Sequence, residues 1–168
     1  MFILRLLLLV LTASACTVSR PSTPAGAADA VRQSGRIVRT QLMVGGGSLG
    51  DNQVAIQRAF GEPLRTNEVV DGITNEPAKE LFFNGVEVYL HKDEVYNLKC
   101  TTPVYTTPDG ARVGQRLEDV ISIYGPGEKM EDGGETLVRY NVTGTDTYLL
   151  FHARNDFVVM IELWFDYT

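Results

Sequence analysis

Gly45, Gly47 and Gly50 set out the spacing G-x-G-x-x-G between an apolar run, "RIVRTQLMV", and a helix-like stretch, "DNQVAIQRAF". In a dinucleotide site such glycines bring backbone close to a pyrophosphate at a helix N-terminus. That chemistry needs a parallel β-α-β unit and an acid about 20 residues on to hold the ribose. Here the acids at that distance, Glu68 and Asp71, fall in a polar loop, and hairpin-like segments follow the helix. No Gly-Lys-Ser/Thr follows the glycines either. The reading is a bend handing a strand over to a helix, with no nucleotide and no cofactor.

Two histidines, His91 and His152, close the apolar segments "VYLH" and "LLFH". A pair of His with no Cys or carboxylate at ligand spacing makes a poor metal site, so no metal is expected and each reads as a strand-end side chain. Ser, His and Asp all occur, but no G-x-S-x-G motif fixes a nucleophile near a base. The acids in "LEDVI" and "EKMEDGGE" read as solvated. No catalytic residue is assigned.

The elements around these residues repeat. Shifted by 64 positions, "LGDNQVAIQRAFGEP" (Leu49–Pro63) falls on "VGQRLEDVISIYGPG" (Val113–Gly127) without a gap. Leu117, Val120, Ile121 and Tyr124 sit at i, i+3, i+4 and i+7, one apolar stripe of a short helix. Gly61 and Gly125 suit helix C-termini, and the prolines after them prevent continuation. Behind each helix come strand signals: "KELFFNG", "VEVYLHKD" and "EVYNLKC", then "ETLVRYNVTG", "TDTYLLFHARND" and "FVVMIELWF". The polar stretches between helix and strands read as loops. "GRIVRTQLMV" and "CTTPVYTT" read as lead-in strands. The expected fold is α+β: two tandem repeats of a short helix followed by a three-stranded antiparallel meander, joined into one larger sheet with the helices on one side. Residues 36–104 form the first repeat and 105–168 the second.

Alternation assigns faces. In "VEVYLH", Val86, Val88 and Leu90 point to the helix side, and Glu87, Tyr89 and His91 away from it. In "FVVMIELWF", Val159, Ile161, Leu163 and Phe165 form one side, and Val158, Met160, Glu162 and Trp164 the other. That second side is too apolar to rest in water. Either it packs within the chain or it is a recognition surface, and Tyr89, Met160 and Trp164 are its candidate partner-binding residues.

The N-terminus speaks to location. "MFILRLLLLVLTASAC" carries one early charge, Arg5, then an apolar run from Leu6 to Leu11 and small residues. The run is shorter than the ~20 residues that span a bilayer, so residues 1–15 read as a signal peptide. Its end resembles the lipobox of bacterial lipoproteins, which implies acylation of Cys16. Ala13 stands where that motif has a larger aliphatic residue, and Ala13-Ser14-Ala15 also suits ordinary signal peptidase, which leaves secretion as the alternative. By the same resemblance, Thr17 after the Cys favours the outer membrane. Residues 16–35, small and Pro-interrupted, read as a flexible tether. The remaining Cys100 reads as a buried apolar residue, with a Cys16–Cys100 bridge open only to an unmodified Cys16.

Composition narrows the partners. The chain has 168 residues and a formal charge of −6, from 15 basic and 21 acidic residues. Removing residues 1–15 removes Arg5 and no acid, so the remainder is more acidic still. Phosphate backbones and anionic membrane surfaces are poor partners for such a chain, and no nucleic acid is expected.

The pattern of Gly, amphipathic helix, aromatic-Gly, Pro and strands resembles a family of bacterial envelope modules. It includes small outer-membrane assembly lipoproteins of the SmpA/OmlA type and the tandem-repeat β-lactamase inhibitor proteins. The two helix motifs carry the resemblance, which extends over roughly Leu49 to Thr168. It implies a non-catalytic protein–protein interaction module, lipid-anchored in the outer membrane and facing the periplasm, with another envelope protein as partner. A small envelope hydrolase, or a carrier of lipid or small ligands, are the alternatives.

Overall fold

The computed structural model describes residues 35–166. The signal peptide, Cys16 and all of the tether but Gly35 lie outside the described residues. The chain order begins with β1 (Arg36–Ile37), a single 3-10 turn (Arg39–Gln41), and a small hairpin of β2 (Met43–Val44) and β3 (Gly47–Ser48). Next come α1 (Gln53–Phe60), β4 (Arg65–Val70), β5 (Pro77–Phe83), β6 (Val86–His91) and β7 (Glu94–Cys100). An irregular stretch leads to α2 (Leu117–Tyr124), β8 (Glu128–Asp132), β9 (Glu135–Val142), β10 (Thr147–Arg154) and β11 (Phe157–Phe165).

The expected two helix-plus-three-strand repeats do not describe this architecture. The molecule is mostly β, and one mixed nine-stranded sheet runs β1-β9-β10-β11-β7-β6-β5-β4, with β8 also on β9. A physical cause accounts for the difference. The stretches read as polar loops, "RTNEVV" and "EKMED", are strands: β4 and β8 lie at the sheet edges and bury little, so neither shows a period-2 apolar pattern. The joining of the two halves into one larger sheet, which the sequence reading expected, is made by β7 and β11, paired antiparallel over Cys100↔Ile161 to Asn97↔Trp164. The lead-in strands also fail. "GRIVRTQLMV" breaks into β1, the turn and β2, and after Cys100 only an isolated bridge, Thr106↔Arg112, is strand-like.

Two apolar rows cross six strands on one face. Leu81–Val88–Leu98–Leu163–Leu149–Tyr140 is one, and Phe83–Val86–Cys100–Ile161–Phe151–Val138 the other. Every member is buried. Both helices and the β2–β3 hairpin cover this face. Phe60 of α1 packs on Phe83 at 5.6 Å between ring centroids, and Tyr124 of α2 on Phe151 at 5.5 Å. Offset and edge-on ring contacts of this kind add to area burial. Helix α1 starts at Asn52, whose side chain accepts from Ala55 N, and ends at Gly61 with φ 86°. Helix α2 ends at Gly125 with φ 81°.

The glycine-rich stretch forms the turn of the hairpin, at Gly45 and Gly46, and not a phosphate loop. Gly47 is required sterically, because a Cβ there would stand 2.7 Å from the Phe60 ring. The Gly50 N–H donates to Val95 O and the Gly114 N–H to Val158 O, so each helix entry is stitched to a strand start further along.

Candidate functional site

The second face of the sheet carries polar and aromatic side chains. Two rows cross it: Glu80–Tyr89–Asn97–Trp164–Tyr148–Asn141 and Phe82–Glu87–Lys99–Glu162–Leu150–Arg139. On the β4–β7 half lies a groove of about 370 Å³, lined by Phe82, Tyr89, Tyr96 and Trp164 with Glu80, Glu87, Asn97 and Lys99. Ile73 and Gly72, from the turn after β4, supply one wall.

Tyr89 and Trp164 therefore line one groove, on either side of Asn97 in one cross-strand row. Trp164 is 40% exposed. Met160 does not join them. It pairs with His152 in a row continued by Leu137, on the far half of the sheet. Tyr96, which no local pattern singles out, comes from a bulge. The β6–β7 register jumps between Tyr89↔Asn97 and Leu90↔Val95, leaving Tyr96 extra. Its ring lies 6.1 Å from Tyr89 and 5.6 Å from Phe165. A second bulge, at His152/Ala153, corrects the face assignment in β11. Val158 turns into the core, where alternation had placed it with Trp164.

Below the groove sits a charge network. Glu162 is 6% exposed, and its carboxylate accepts from Asn97 Nδ2 at 2.8 Å and from His152 Nε2 at 3.0 Å. Lys99 Nζ stands 3.7 Å away. Burial alone would push this carboxyl upward, but hydrogen bonds from His152 and Asn97 and the Lys99 charge outweigh it and hold it below the usual carboxylate range. Glu135 faces the other ring nitrogen of His152 at 3.6 Å. Sequence reading placed Glu162 on this face and missed the network, because its members come from β7, β10 and β11.

A second network builds the groove wall. Asp71 accepts from Ile73 N, Thr74 N, Thr74 Oγ1 and the Tyr89 hydroxyl, the last at 2.8 Å. The Thr74 N–H, then the Tyr89 hydroxyl, hold the Asp71 carboxyl well below the usual range against a smaller burial effect. His91 is buried under the same turn, with Nε2 at 3.2 Å from Thr74 Oγ1 and 3.0 Å from Glu76. Thr74 gives its one hydroxyl hydrogen to Asp71, so its oxygen accepts from His91 Nε2. That nitrogen carries a proton and cannot take one.

These arrangements order the sheet face, and they supply no nucleophile. Among the described residues, Ser48 Oγ donates to Leu42 O and Ser122 Oγ to Glu118 O, so neither shares a hydrogen bond with a histidine. His152 Nε2 likewise donates to a carboxylate. No group of three or more His, Cys, Asp or Glu among the described residues has the geometry to hold a metal ion. Cys100 is buried, its thiol pushed up by burial and donating to Thr102 O at 3.4 Å. No helix among the described residues is long and apolar enough to cross a membrane.

No family model and no curated protein matches the sequence. Among solved structures the chain is similar to an extracellular protein containing an SCP domain from Bacillus anthracis, at 11% identity and a TM-score of 0.49. That match covers 93% of this chain and 50% of the other, so the chain spans half of that protein's length. It is also similar to the uncharacterised protein YfeY from Escherichia coli, at 11% identity, 75% and 97% coverage and a TM-score of 0.47. A third is the DUF4309 family protein YjgB from Bacillus subtilis, at 16% identity, 83% and 93% coverage and a TM-score of 0.40. Likenesses this distant carry no function across.

Proposed function

We propose that this chain is a non-catalytic binding module of the bacterial envelope, held by a lipid on Cys16, and that the sheet-face groove engages another envelope protein. The observation that carries the reading is the groove itself: Phe82, Tyr89 and Trp164 on a rigid nine-stranded sheet, beside polar groups already committed to one another. Aromatic side chains lose little rotamer freedom on binding and dominate interface energetics. Saturated neighbours such as Glu162 and Asp71 fix their positions without offering reactive groups. The tether supplies reach from the bilayer.

Crosslinking in intact cells with mass spectrometry tests this. Wild type, Cys16→Ala and Trp164→Ala are compared, with membrane and soluble fractions separated. The proposal expects Cys16→Ala to shift the protein out of the membrane fraction and Trp164→Ala to lose the principal adduct while remaining folded. Identical adducts and fractionation in all three would refute it.

A further inference from the structure

A second concavity, of about 530 Å³, opens at the end of the central strands, between the sheet and the segment that covers it. Leu42, Leu49, Val95, Tyr96 and Phe165 give it an apolar wall. Its polar lining includes Arg39, Lys92, Glu94 and the hydroxyls of Thr74, Thr145 and Thr147. The volume lies in the ~300–1,000 Å³ range of small-molecule sites. Its charges are not equivalent. Lys92 Nζ is held by Glu76 at 2.8 Å. Among the described residues, neither the Arg39 guanidinium nor the Glu94 carboxylate has an ion-pair partner within 4.0 Å.

We infer that this cleft binds an amphiphile with an acyl chain and an anionic head, a carboxylate or a phosphate. The chain lies on Leu42, Leu49, Val95 and Phe165, and the head meets Arg39. Two features favour that chemistry. A guanidinium presents a planar fork of donors that matches two oxygens of one anion. The apolar wall runs on from the covered face, so burying an acyl chain there extends an existing core by the same transfer of apolar surface from water. Glu94 opposes the anion, which gives the inference a signed test. This cleft is separate from the groove, and only Tyr96 lines both.

The test is a fluorescence titration of the full chain with 1-anilinonaphthalene-8-sulfonate, followed by displacement with dodecanoate, dodecyl phosphate, dodecanol and dodecyltrimethylammonium. Arg39→Gln and Glu94→Gln are the variants. Both side chains are exposed, and a thermal melt of each variant checks that it folds. The expected result is saturable displacement by the two anions, weakened at least tenfold in Arg39→Gln and strengthened two- to fivefold in Glu94→Gln. Dodecanol should be indifferent to both changes. Vesicles of phosphatidylglycerol against phosphatidylcholine separate a lipid headgroup from a free fatty acid as the source of the anion. Three results would each overturn the inference: no saturable displacement, equal affinity in wild type and Arg39→Gln, or tighter binding of the trimethylammonium compound than of the anions.

Discussion

Replacing Glu162 by Leu should cost the fold about 3–5 kcal/mol, because it removes the charged acceptor of two mostly buried donors. The carboxylate is 6% exposed and receives Asn97 Nδ2 at 2.8 Å and His152 Nε2 at 3.0 Å. Hydrogen bonds to a charged group contribute about 1.5–3 kcal/mol each, and orphaned buried donors cost about 1–3 kcal/mol. Glu162→Gln should lose only about 1–2 kcal/mol. Its carbonyl can still accept from Asn97, and its amide can donate to His152 once the ring proton moves to Nδ1, the nitrogen facing Glu135 at 3.6 Å. The assay is urea unfolding at constant pH, with the slope compared among variants to confirm that the same surface is exposed. A pH series adds a second readout. The folded carboxyl of Glu162 lies below its unfolded value, so its contribution is fully present above the ordinary carboxylate range and disappears as pH falls through the folded value. Wild type should therefore lose stability in acid more steeply than Glu162→Gln. A Glu162→Leu variant within 0.5 kcal/mol of wild type, or matching acid slopes, would refute the account of the network.

Other perturbations test other parts. Phe151→Ala empties a position between Tyr124 and Tyr140 that is 0% exposed, and should cost about 3–5 kcal/mol in urea unfolding. Gly47→Ala forces a methyl toward the Phe60 ring, 2.7 Å away, and should destabilise by about 1–3 kcal/mol, measured by thermal unfolding. Tyr89→Phe removes a donor to Asp71, so a carbon-detected NMR titration should show the Asp71 carboxyl rising toward the ordinary range. Iodoacetamide should label Cys100 in the unfolded chain and leave it untouched in the native one, because the thiol is fully buried.

Much of the local structure was written in short-range pattern. The stripe at Leu117, Val120, Ile121 and Tyr124 formed α2, and Leu117, Val120 and Tyr124 are buried as an apolar stripe requires. Val86, Val88 and Leu90 alternate into the core of β6 as their spacing implies. What pattern could not reach was pairing. The edge strands β4 and β8 carry Thr, Asn, Glu and Lys because water meets them on one side, and polarity there imitates a loop. The β7–β11 seam joins segments more than 60 residues apart, and nothing local encodes it. The two bulges lay outside any local pattern too: one put Tyr96 in the groove, and the other moved Val158 from its expected open face to the core. Of the three surface residues singled out, Tyr89 and Trp164 share the groove because they share a row, and Met160 is four residues before Trp164, in a row with His152 and Leu137.

The most direct test of the central claim places a photo-crosslinking amino acid at position 164 in intact cells, with position 54 as control. Trp164 lies in the groove, and Val54 is 62% exposed on α1 at the opposite face. The account predicts one dominant protein adduct from position 164, lost when Phe82 is also replaced by Ala, and none of that mass from position 54. Equal adducts from both positions, or no protein adduct from position 164, would contradict it.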